Sequence, residues 1–494
     1  MLNSKKRQDS NAIITVHQFS IAMATTETLL ESDGFVLVSH ADAVELGSRE
    51  AREAREVSGR SASPPRYLAA ISACVDQASA SLWPLNRHIH DHPELAFHEF
   101  EAHRRLTAFY EGRAIGSGNH SARWTVTREA YGMRTAWVAV YDSGRAGPVV
   151  SFNVEMDALP GVGHACGHNL IATASVAGSL ATAEVMWQHR LGGKIVVFGT
   201  PAEEDGGGKV CLLEAGAYRE HGADVSLITH PSTTTPSAMM RTTAITNFMA
   251  SYEGRAAHAA ASPWQGVNAL DALVQAYTGL SMLRQQTAPG DIIQGRITDG
   301  GAATNIIHEH AAGEFAVRAP SKRRLAELRQ KVDGCFRAGA EATGARLTLD
   351  ERGGYADHIP NRLLACAYSR YWNELVRQDP AVPDDEHIPD NLDVDDARGR
   401  TLASTDQGDV SYAMPSLSAG FRIPSIPIDG SSRPGGGPHT VDFERAAGTR
   451  IAFEHALRAG KGLAGTALDV LTVDGLLDQV KRAWKEDMED AMVC

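Results

Sequence analysis

Residues 149–169 read VVSFNVEMDALPGVGHACGHN, and this stretch decides the fold. Its first half, Val149–Met156, has the length and apolar composition of a buried strand. An alanine-rich run from Leu170 to Gln188 follows and predicts a helix. The apolar runs 193–199 and 223–229 predict two more strands. Because strands alternate with helices, we expect an α/β domain with a largely parallel sheet flanked by helices.

A different order of elements follows between residues 242 and 355. Strands are predicted at 244–252, 292–298, 311–317 and 346–350, and helices at 267–285 and 322–343. This β-α-β-β-α-β order predicts a ferredoxin-like α+β domain inserted into the first one. The predicted organisation has four parts, namely a poorly ordered extension (1–64), the first part of the α/β domain (65–241), the inserted domain (242–355) and the second part with a helical C-terminal tail (356–494).

Two further stretches are predicted to be loops. The first is the acidic, proline-containing segment from Gln378 to Arg398, which we interpret as a surface loop. The second is the glycine-rich run Gly435–His439.

Composition limits the classes of function. With 494 residues, 43% hydrophobic and 22% charged, the chain resembles a soluble globular protein with room for two domains. The net charge of -13 argues against nucleic acid and anionic membranes as partners. Six cysteines without the dense spacing of a disulfide scaffold favour a reducing compartment, and we expect the cytoplasm.

The side chains that could bind a metal or move protons are concentrated where the predicted strands end. Cys166 and His168 lie in a glycine-containing turn between strand and helix, so both side chains can point into one site. The pair Glu203–Glu204 follows the next strand, and His230 ends the third. Ligands of parallel sheets bind beyond the carboxyl ends of the strands. Thiol and imidazole suit zinc, manganese or cobalt, while one carboxylate can bind metal and its neighbour can move protons.

Each of these residues alone has a simpler explanation. A Cys-x-His pair is more often a buried thiol beside a helix cap, and Glu203–Glu204 alone would be a solvated turn. His230 could be structural, and His439 would by default lie at the surface. The glutamate pair together with a further histidine favours a metal site. Residue chemistry alone does not single out three further residues. It suggests that His258 is an exposed loop histidine, Asn305 a turn residue and Arg318 a solvated charge.

Five motifs carry a family resemblance that covers roughly residues 67–465, and they are WPLN (83–86), HPEL (92–95), DALPG to GHACGHNLIA (157–172), GTPAEE (199–204) and STD (404–406). With them the chain resembles the aminoacylase/carboxypeptidase family of metallopeptidases and amidohydrolases with a co-catalytic metal centre. It is most similar to the branch of beta-alanyl-lysine dipeptidase, aminobenzoyl-glutamate hydrolase and auxin-conjugate amidohydrolases.

The resemblance implies a set of site residues. The implied metal ligands, for one or two zinc or manganese ions per subunit with cobalt as an alternative, are Cys166, His168, Glu204, His230 and His439. Glu203 would be the general base and later the proton donor to the leaving amine. The inserted domain would be a lid that also forms a homodimer through residues 242–355. His258 would then reach the partner's site and stabilise the oxyanion, Asn305 would hold the substrate's carboxylate, and Arg318 would assist.

These expectations add up to a metal-dependent amidohydrolase that cleaves an N-acyl amino acid or a dipeptide-like small molecule. An amide-forming enzyme would use the same residues, and a non-catalytic metal-binding scaffold would be favoured by loss of Glu203 or a ligand, none of which is lost. A thiol hydrolase with Cys166 as nucleophile fits less well, since His168 and Glu204 suit coordination. Asp409 stands where related sequences more often have Asn, which could alter the charge of the pocket.

Overall fold

The computed structural model describes residues 65–117 and 121–492, and the predicted extension 1–64 lies outside these residues. The first part of the α/β domain contains, in chain order, α1 (Leu68–Asp91), α2 (Phe100–Glu111), β1 (Ala114–Ile115), β2 (Ala122–Arg123), β3 (Thr125–Arg128), β4 (Trp137–Asp142), β5 (Val149–Glu155), α3 (His168–His189), β6 (Lys194–Thr200), α4 (Gly208–Glu214), α5 (Ala217–His221) and β7 (Val225–Ser232).

The inserted region has its own helices and strands. They are β8 (Ala244–Glu253), β9 (Ala257–His258), α6 (Ala269–Leu283), β10 (Ile292–Asp299), β11 (Ile306–Ile307), β12 (His310–Ala319), α7 (Lys322–Thr343) and β13 (Arg346–Tyr355). The chain then returns to the α/β domain with α8 (Arg362–Gln378), α9 (Leu392–Arg398), α10 (Gln407–Ala413), β14 (Ser416–Arg422), α11 (Val441–Ala447), α12 (Arg450–Thr472) and α13 (Leu476–Met492).

The large sheet has six strands in the order β14-β7-β5-β6-β4-β3. The first four strands of this order pair in parallel, whereas β4 pairs antiparallel with both β6 and β3. Helices cover both faces, as the alternation of strands and helices predicts. The predicted class, an α/β domain with a largely parallel sheet, is confirmed, with two antiparallel strands extending one edge.

Helix α3 forms the centre of the core. It packs against α12 and α1 and is buried on nearly all sides. It is long and apolar enough to cross a membrane, but 89% of its apolar window is buried inside the fold. A buried helix of a soluble core has this same composition, because it needs no polar face.

The inserted region folds into a four-stranded antiparallel sheet in the order β10-β12-β8-β13, with α6 and α7 packed on one face. This is the predicted ferredoxin-like arrangement. A second, two-stranded sheet pairs β9 with β11 and sets His258 opposite Ile306. We call this region, residues 242–355, the lid.

The interpretation of 378–398 as a surface loop is wrong in part. The segment contains a short 3-10 turn at Asp384–Glu386 and the helix α9. Asp395 on α9 is fully buried, and its carboxylate accepts hydrogen bonds from the backbone N–H groups of Ala238 and Met239 at 2.9 and 3.1 Å. Acidic composition predicted exposure, but here an acidic side chain satisfies buried backbone donors.

Candidate metal centre

Three neighbouring parallel strands deliver most of the predicted site residues to one edge of the large sheet. Strand β5 ends at Glu155 and leads through a loop into α3, whose first residue is His168. Strand β6 ends at Thr200, shortly before Glu203, and His230 lies near the end of β7. Because these strands are parallel, their carboxyl ends meet at this edge.

The turn before α3 requires a glycine. Gly167 has φ +79°, and a Cβ atom there would lie 2.6 Å from Cγ of Pro231. A side chain at this position would therefore be strained and would also clash. The close approach brings the Cys166 Sγ to 3.4 Å from Nε2 of His230.

The peptide before Glu203 is also unusual. Ala202 has φ +58°, a conformation that costs energy for a residue other than glycine. Its N–H donates to Oε1 of the buried Glu99 at 2.8 Å, and the hydroxyl of Tyr355, at the end of the lid, donates to the Glu203 carbonyl at 2.8 Å. These bonds fix the backbone on both sides of the turn that carries Glu203.

The structure brings six of the nine predicted site residues together, and we call them the donor cluster: Cys166, His168, Glu203, Glu204, His230 and His439. Within this cluster, His168 Nε2 lies 3.7 Å from Oε1 of Glu204 and 3.8 Å from Oε2 of Glu203. His439 joins from the glycine-rich loop, with its Nε2 at 3.4 Å from the second oxygen of Glu204.

The donor atoms form overlapping groups in which all atoms lie within 4.8 Å of one another. One group is Cys166, His168 and His230, and another is Cys166, Glu204 and His439. The two groups share the thiol. A third group consists of Glu155, His168 and Glu203.

Asp157 was not assigned a role from the sequence, although it opens the most specific motif. Its Oδ1 lies 3.0 Å from Nδ1 of His168, and its Oδ2 accepts a hydrogen bond from the backbone of Glu204 at 2.9 Å. Burial alone would raise the pKa of Asp157, but the charge and hydrogen bond of His168 and the backbone donors outweigh burial and lower it. Asp157 thus orients the ring of His168 so that Nε2 points into the cluster.

Several buried atoms of the site lack hydrogen-bond partners among the described residues. They are Nε2 of His168, Oε1 of Glu204 and Oε2 of Glu155. Burial, reinforced by the charge of Glu204, holds the pKa of the Cys166 thiol well above its usual value. Burial lowers the pKa of His230 to about 4, so its imidazole is neutral near pH 7. The unpartnered nitrogen of His168 and the unpartnered carboxylate oxygens of Glu204 and Glu155 lie beside the neutral imidazole of His230 and the thiol of Cys166. Nitrogen, carboxylate and sulfur ligands of this kind suit a divalent transition metal.

A buried ion group lies behind the donor cluster. The ammonium of Lys209 contacts Oε1 of Glu155 at 2.6 Å and also pairs with the carboxylate of Asp406, and all three side chains are at most 2% exposed. Burial and the charges of Glu155 and Asp406 keep the pKa of Glu203 well above its usual value. Lys209 was not singled out from the sequence, since a lysine directly after three glycines normally reaches solvent.

The remaining three predicted residues lie in the lid. His258 ends β9 and Asn305 directly precedes β11, where the Ala259 N–H donates to the Asn305 carbonyl at 2.9 Å, and both side chains are exposed. Neither belongs to a donor group of the described chain. Arg318 donates to Oγ of Ser404 at 2.8 Å, so it connects strand β12 to the loop before Asp406.

Asp409 lies on α10 and contacts the backbone at Ala356, where the chain leaves the lid. Its Oδ2 accepts a hydrogen bond from the Ala356 N–H at 3.0 Å, and burial raises its pKa. The carboxylate of Asp409 is therefore hydrogen-bonded to the backbone. Asp409 belongs to none of the metal-donor groups found in the described residues.

Comparison with known proteins identifies the family of the chain. The family model described as a peptidase dimerisation domain (M20_dimer) matches residues 244–343, within the lid. The Xaa-Arg dipeptidase of Mus musculus is 38% identical over 84% of this chain and 91% of its own length. One of the two polypeptides of the p-aminobenzoyl-glutamate hydrolase of Escherichia coli is 27% identical over 80% of this chain and 90% of its own length.

A solved structure supports the fold. A Bacillus subtilis protein, described as a dinuclear metal binding peptidase from the M20 family, superposes with a TM-score of 0.55 at 18% identity over 80% of this chain and 99% of its own. Identity at this level shows the fold alone, whereas the mouse relative shows the family. The chain therefore belongs to the M20 family, and it is a metal-dependent hydrolase of the amide bond in N-acyl amino acids or dipeptides.

Proposed function

We propose that this chain is a dipeptidase that releases a basic C-terminal amino acid, with two divalent ions held by Cys166, His168, Glu204, His230 and His439 and with Glu203 as the general base. The observation that carries the proposal is the pair of three-donor groups that share Cys166 at the carboxyl ends of parallel strands. Two groups with one shared donor are the pattern expected for two neighbouring ions. The preference for a basic residue follows the 38% identity to an Xaa-Arg dipeptidase.

Charge balance supports a divalent metal. Five carboxylate side chains at this edge of the sheet are at most 11% exposed, namely Glu155, Asp157, Glu203, Glu204 and Asp406. Among the described residues, Lys209 is the one lysine or arginine that forms a salt bridge with any of them. Buried carboxylates in such excess either take up protons, as the raised pKa values of Glu203 and Asp406 indicate, or bind further cations. Zinc or manganese suits the thiol, imidazole and carboxylate donors.

Divalent ions held by Cys166, His168, Glu204, His230 and His439 would lower the pKa of a water molecule and polarise the amide carbonyl. Glu203 accepts the proton of the attacking water on its carboxylate and later delivers it to the nitrogen of the leaving amine. The hydrogen bonds of Glu99 and Tyr355 to the backbone around Glu203 fix the position of this base. Asp157 keeps the ring of His168 in one orientation, and His258 of a partner subunit stabilises the oxyanion, with Asn305 holding the substrate's carboxylate.

We further propose a homodimer through the lid. Strand β10 is an edge strand, exposed from Gln294 to Asp299, and α6 exposes Val274, Tyr277 and Met282 at 46%, 38% and 67%. An unpaired edge beside exposed apolar side chains suits pairing with a second copy.

The five described cysteines are free, which supports a reducing compartment such as the cytoplasm.

The test is metal-dependent hydrolysis with a matched substrate panel. Protein stripped with a chelator is reloaded with zinc, manganese or cobalt and offered Xaa-Arg and Xaa-Lys dipeptides, their Xaa-Glu counterparts and N-acetyl amino acids. We expect metal-restored cleavage, with kcat/KM at least about tenfold higher for basic than for acidic dipeptides, since one charge interaction can contribute about 1.4 kcal/mol or more. Faster cleavage of the acidic dipeptides or of the N-acetyl amino acids would contradict the proposed specificity.

A further inference from the structure

Glu155 is the last residue of β5 and has no role in the mechanism above. Its side chain is buried, and its Oε1 accepts from the Lys209 ammonium at 2.6 Å. Lys209 is anchored in turn by Asp406, which pairs with its ammonium and accepts from its backbone N–H at 2.9 Å. One oxygen of Glu155 is therefore fixed, and the direction of the other is fixed with it.

That other oxygen faces the donor cluster. Oε2 of Glu155 lies 3.4 Å from Nε2 of His168, and neither atom has a hydrogen-bond partner among the described residues. Because Nδ1 of His168 is paired with Asp157, Nε2 is the ring nitrogen that remains to bind a ligand, and it faces a carboxylate oxygen in a buried site. A separation of about 3.4 Å is also the distance between two ligands of a tetrahedral ion with bonds of about 2.1 Å.

Glu386 shows that a buried carboxylate oxygen without a partner is not sufficient evidence for a metal. Its Oε1 accepts from Arg422 at 2.7 Å, its Oε2 is buried without a partner among the described residues, and the residue is 2% exposed. Glu386 belongs to none of the donor groups found in the described chain, whereas Glu155 forms one with His168 and Glu203. The facing imidazole and second carboxylate distinguish Glu155.

We propose that Glu155 is a metal-binding residue of this chain, a donor beyond the five implied by the family resemblance. Lys209 and Asp406 are the positioning residues that hold its Oε2 toward His168 and Glu203. The inference rests on the proposed metal centre and deepens it. An anchored carboxylate on the inner side of His168 adds negative charge and one more ligand atom, which tightens metal binding.

The experiment is cobalt binding to stripped full-length protein, followed by visible absorption and by competition with a coloured chelator. Glu155→Gln removes the facing oxygen's charge, while Asp406→Asn removes the same charge from the other partner of Lys209. Glu386→Gln is a matched control at a buried carboxylate outside the cluster. We expect Glu155→Gln to change the cobalt spectrum and to weaken binding at least about tenfold, the lower bound for losing even an outer partner of a metal ligand. Asp406→Asn is expected to weaken binding less and to keep the spectrum, and Glu386→Gln to behave as wild type.

Glu155→Asp provides a second variant that keeps the charge but withdraws the oxygen by one methylene, and it carries the test if Glu155→Gln does not fold by circular dichroism. Its expected result is again an altered cobalt spectrum. An unchanged cobalt spectrum and an unchanged cobalt affinity in the Glu155 variants would overturn the assignment. Equal weakening of cobalt binding by Glu155→Gln and Asp406→Asn, with unchanged spectra, would also overturn it, because it would show an effect of charge alone. Wild-type protein that binds no cobalt would refute the metal centre itself, so the two failures are distinguishable.

Discussion

His168 and Glu203 of the donor cluster are held in the opposite way to His258 and Asn305 of the lid. In the cluster, His168 and Glu203 are 0% and 6% exposed, and each lies within 4 Å of another donor. In the lid, His258 and Asn305 are exposed and belong to no donor group of the described chain. One chain therefore assembles the proposed metal-binding half of the site by its own folding. The other half is presented outward, as expected of residues that act in a second subunit.

The largest effect is expected inside the cluster. Glu203→Gln removes the proposed base but keeps the shape of the side chain, so we expect kcat to fall at least about 100-fold, the usual contribution of general acid–base catalysis. Metal content, measured by mass spectrometry of the purified protein, should stay at the wild-type value. The control is Glu214→Gln, at an exposed position that ends α4. Near-normal turnover in Glu203→Gln would remove this residue from the base role.

If His258 acts in the site of a partner subunit, two inactive variants should restore activity when their subunits are mixed. His258→Ala should lower kcat by about 100-fold or more, as loss of an oxyanion donor does. Mixed with Glu203→Gln subunits, it should regain up to about a quarter of wild-type activity, because half of randomly formed dimers are mixed and each contains one intact site. Mixed dimers isolated with two different affinity tags and found inactive would show that His258 does not act across the interface.

A smaller effect is expected just behind the cluster. Asp157→Asn keeps the size of the side chain but removes the carboxylate that orients His168. We expect metal affinity to fall about 10- to 100-fold, as it does when an outer partner of a ligand is lost. Chelator competition measures this change. Unaltered affinity would mean that His168 needs no orienting partner.

Asp395, a buried carboxylate outside the donor groups of the described chain, should affect stability alone. Burial raises the pKa of Asp395 to about 6 from its usual 3.8, so the folded protein binds its proton more tightly than the unfolded chain does. This contribution to stability is complete below about pH 4 and is lost as pH rises through about 6. Asp395→Asn should therefore gain stability relative to wild type between about pH 4 and 7, by about 1–3 kcal/mol. Denaturant unfolding at several pH values measures the difference, and a pH-independent difference would contradict it.

Much of the fold and the cluster could be predicted from the sequence because the signals are local. The strand before Asp157, the helix after it and the alternating pattern of the lid all appear as continuous runs, and the strand ends bring Cys166 and His168 to one edge. Lys209 and the pairing of Glu155 with it could not be predicted, since Lys209 and Asp406 are almost 200 residues apart and meet only through tertiary folding. The helix α9 was missed because its acidic composition predicted exposure, whereas Asp395 is buried and accepts hydrogen bonds from the distant backbone N–H groups of Ala238 and Met239.

Metal content of the purified wild-type protein and of Cys166→Ser tests the central claim most directly. Cys166 belongs to two of the three donor groups, the two assigned to the pair of ions, so its replacement by a poorer ligand should affect both ions. We predict about two ions per subunit in reloaded wild type, as in a two-metal hydrolase, and a clear loss in Cys166→Ser with the fold intact by circular dichroism. Wild type without bound metal, or equal metal content in both proteins, would contradict a metal centre built on this thiol.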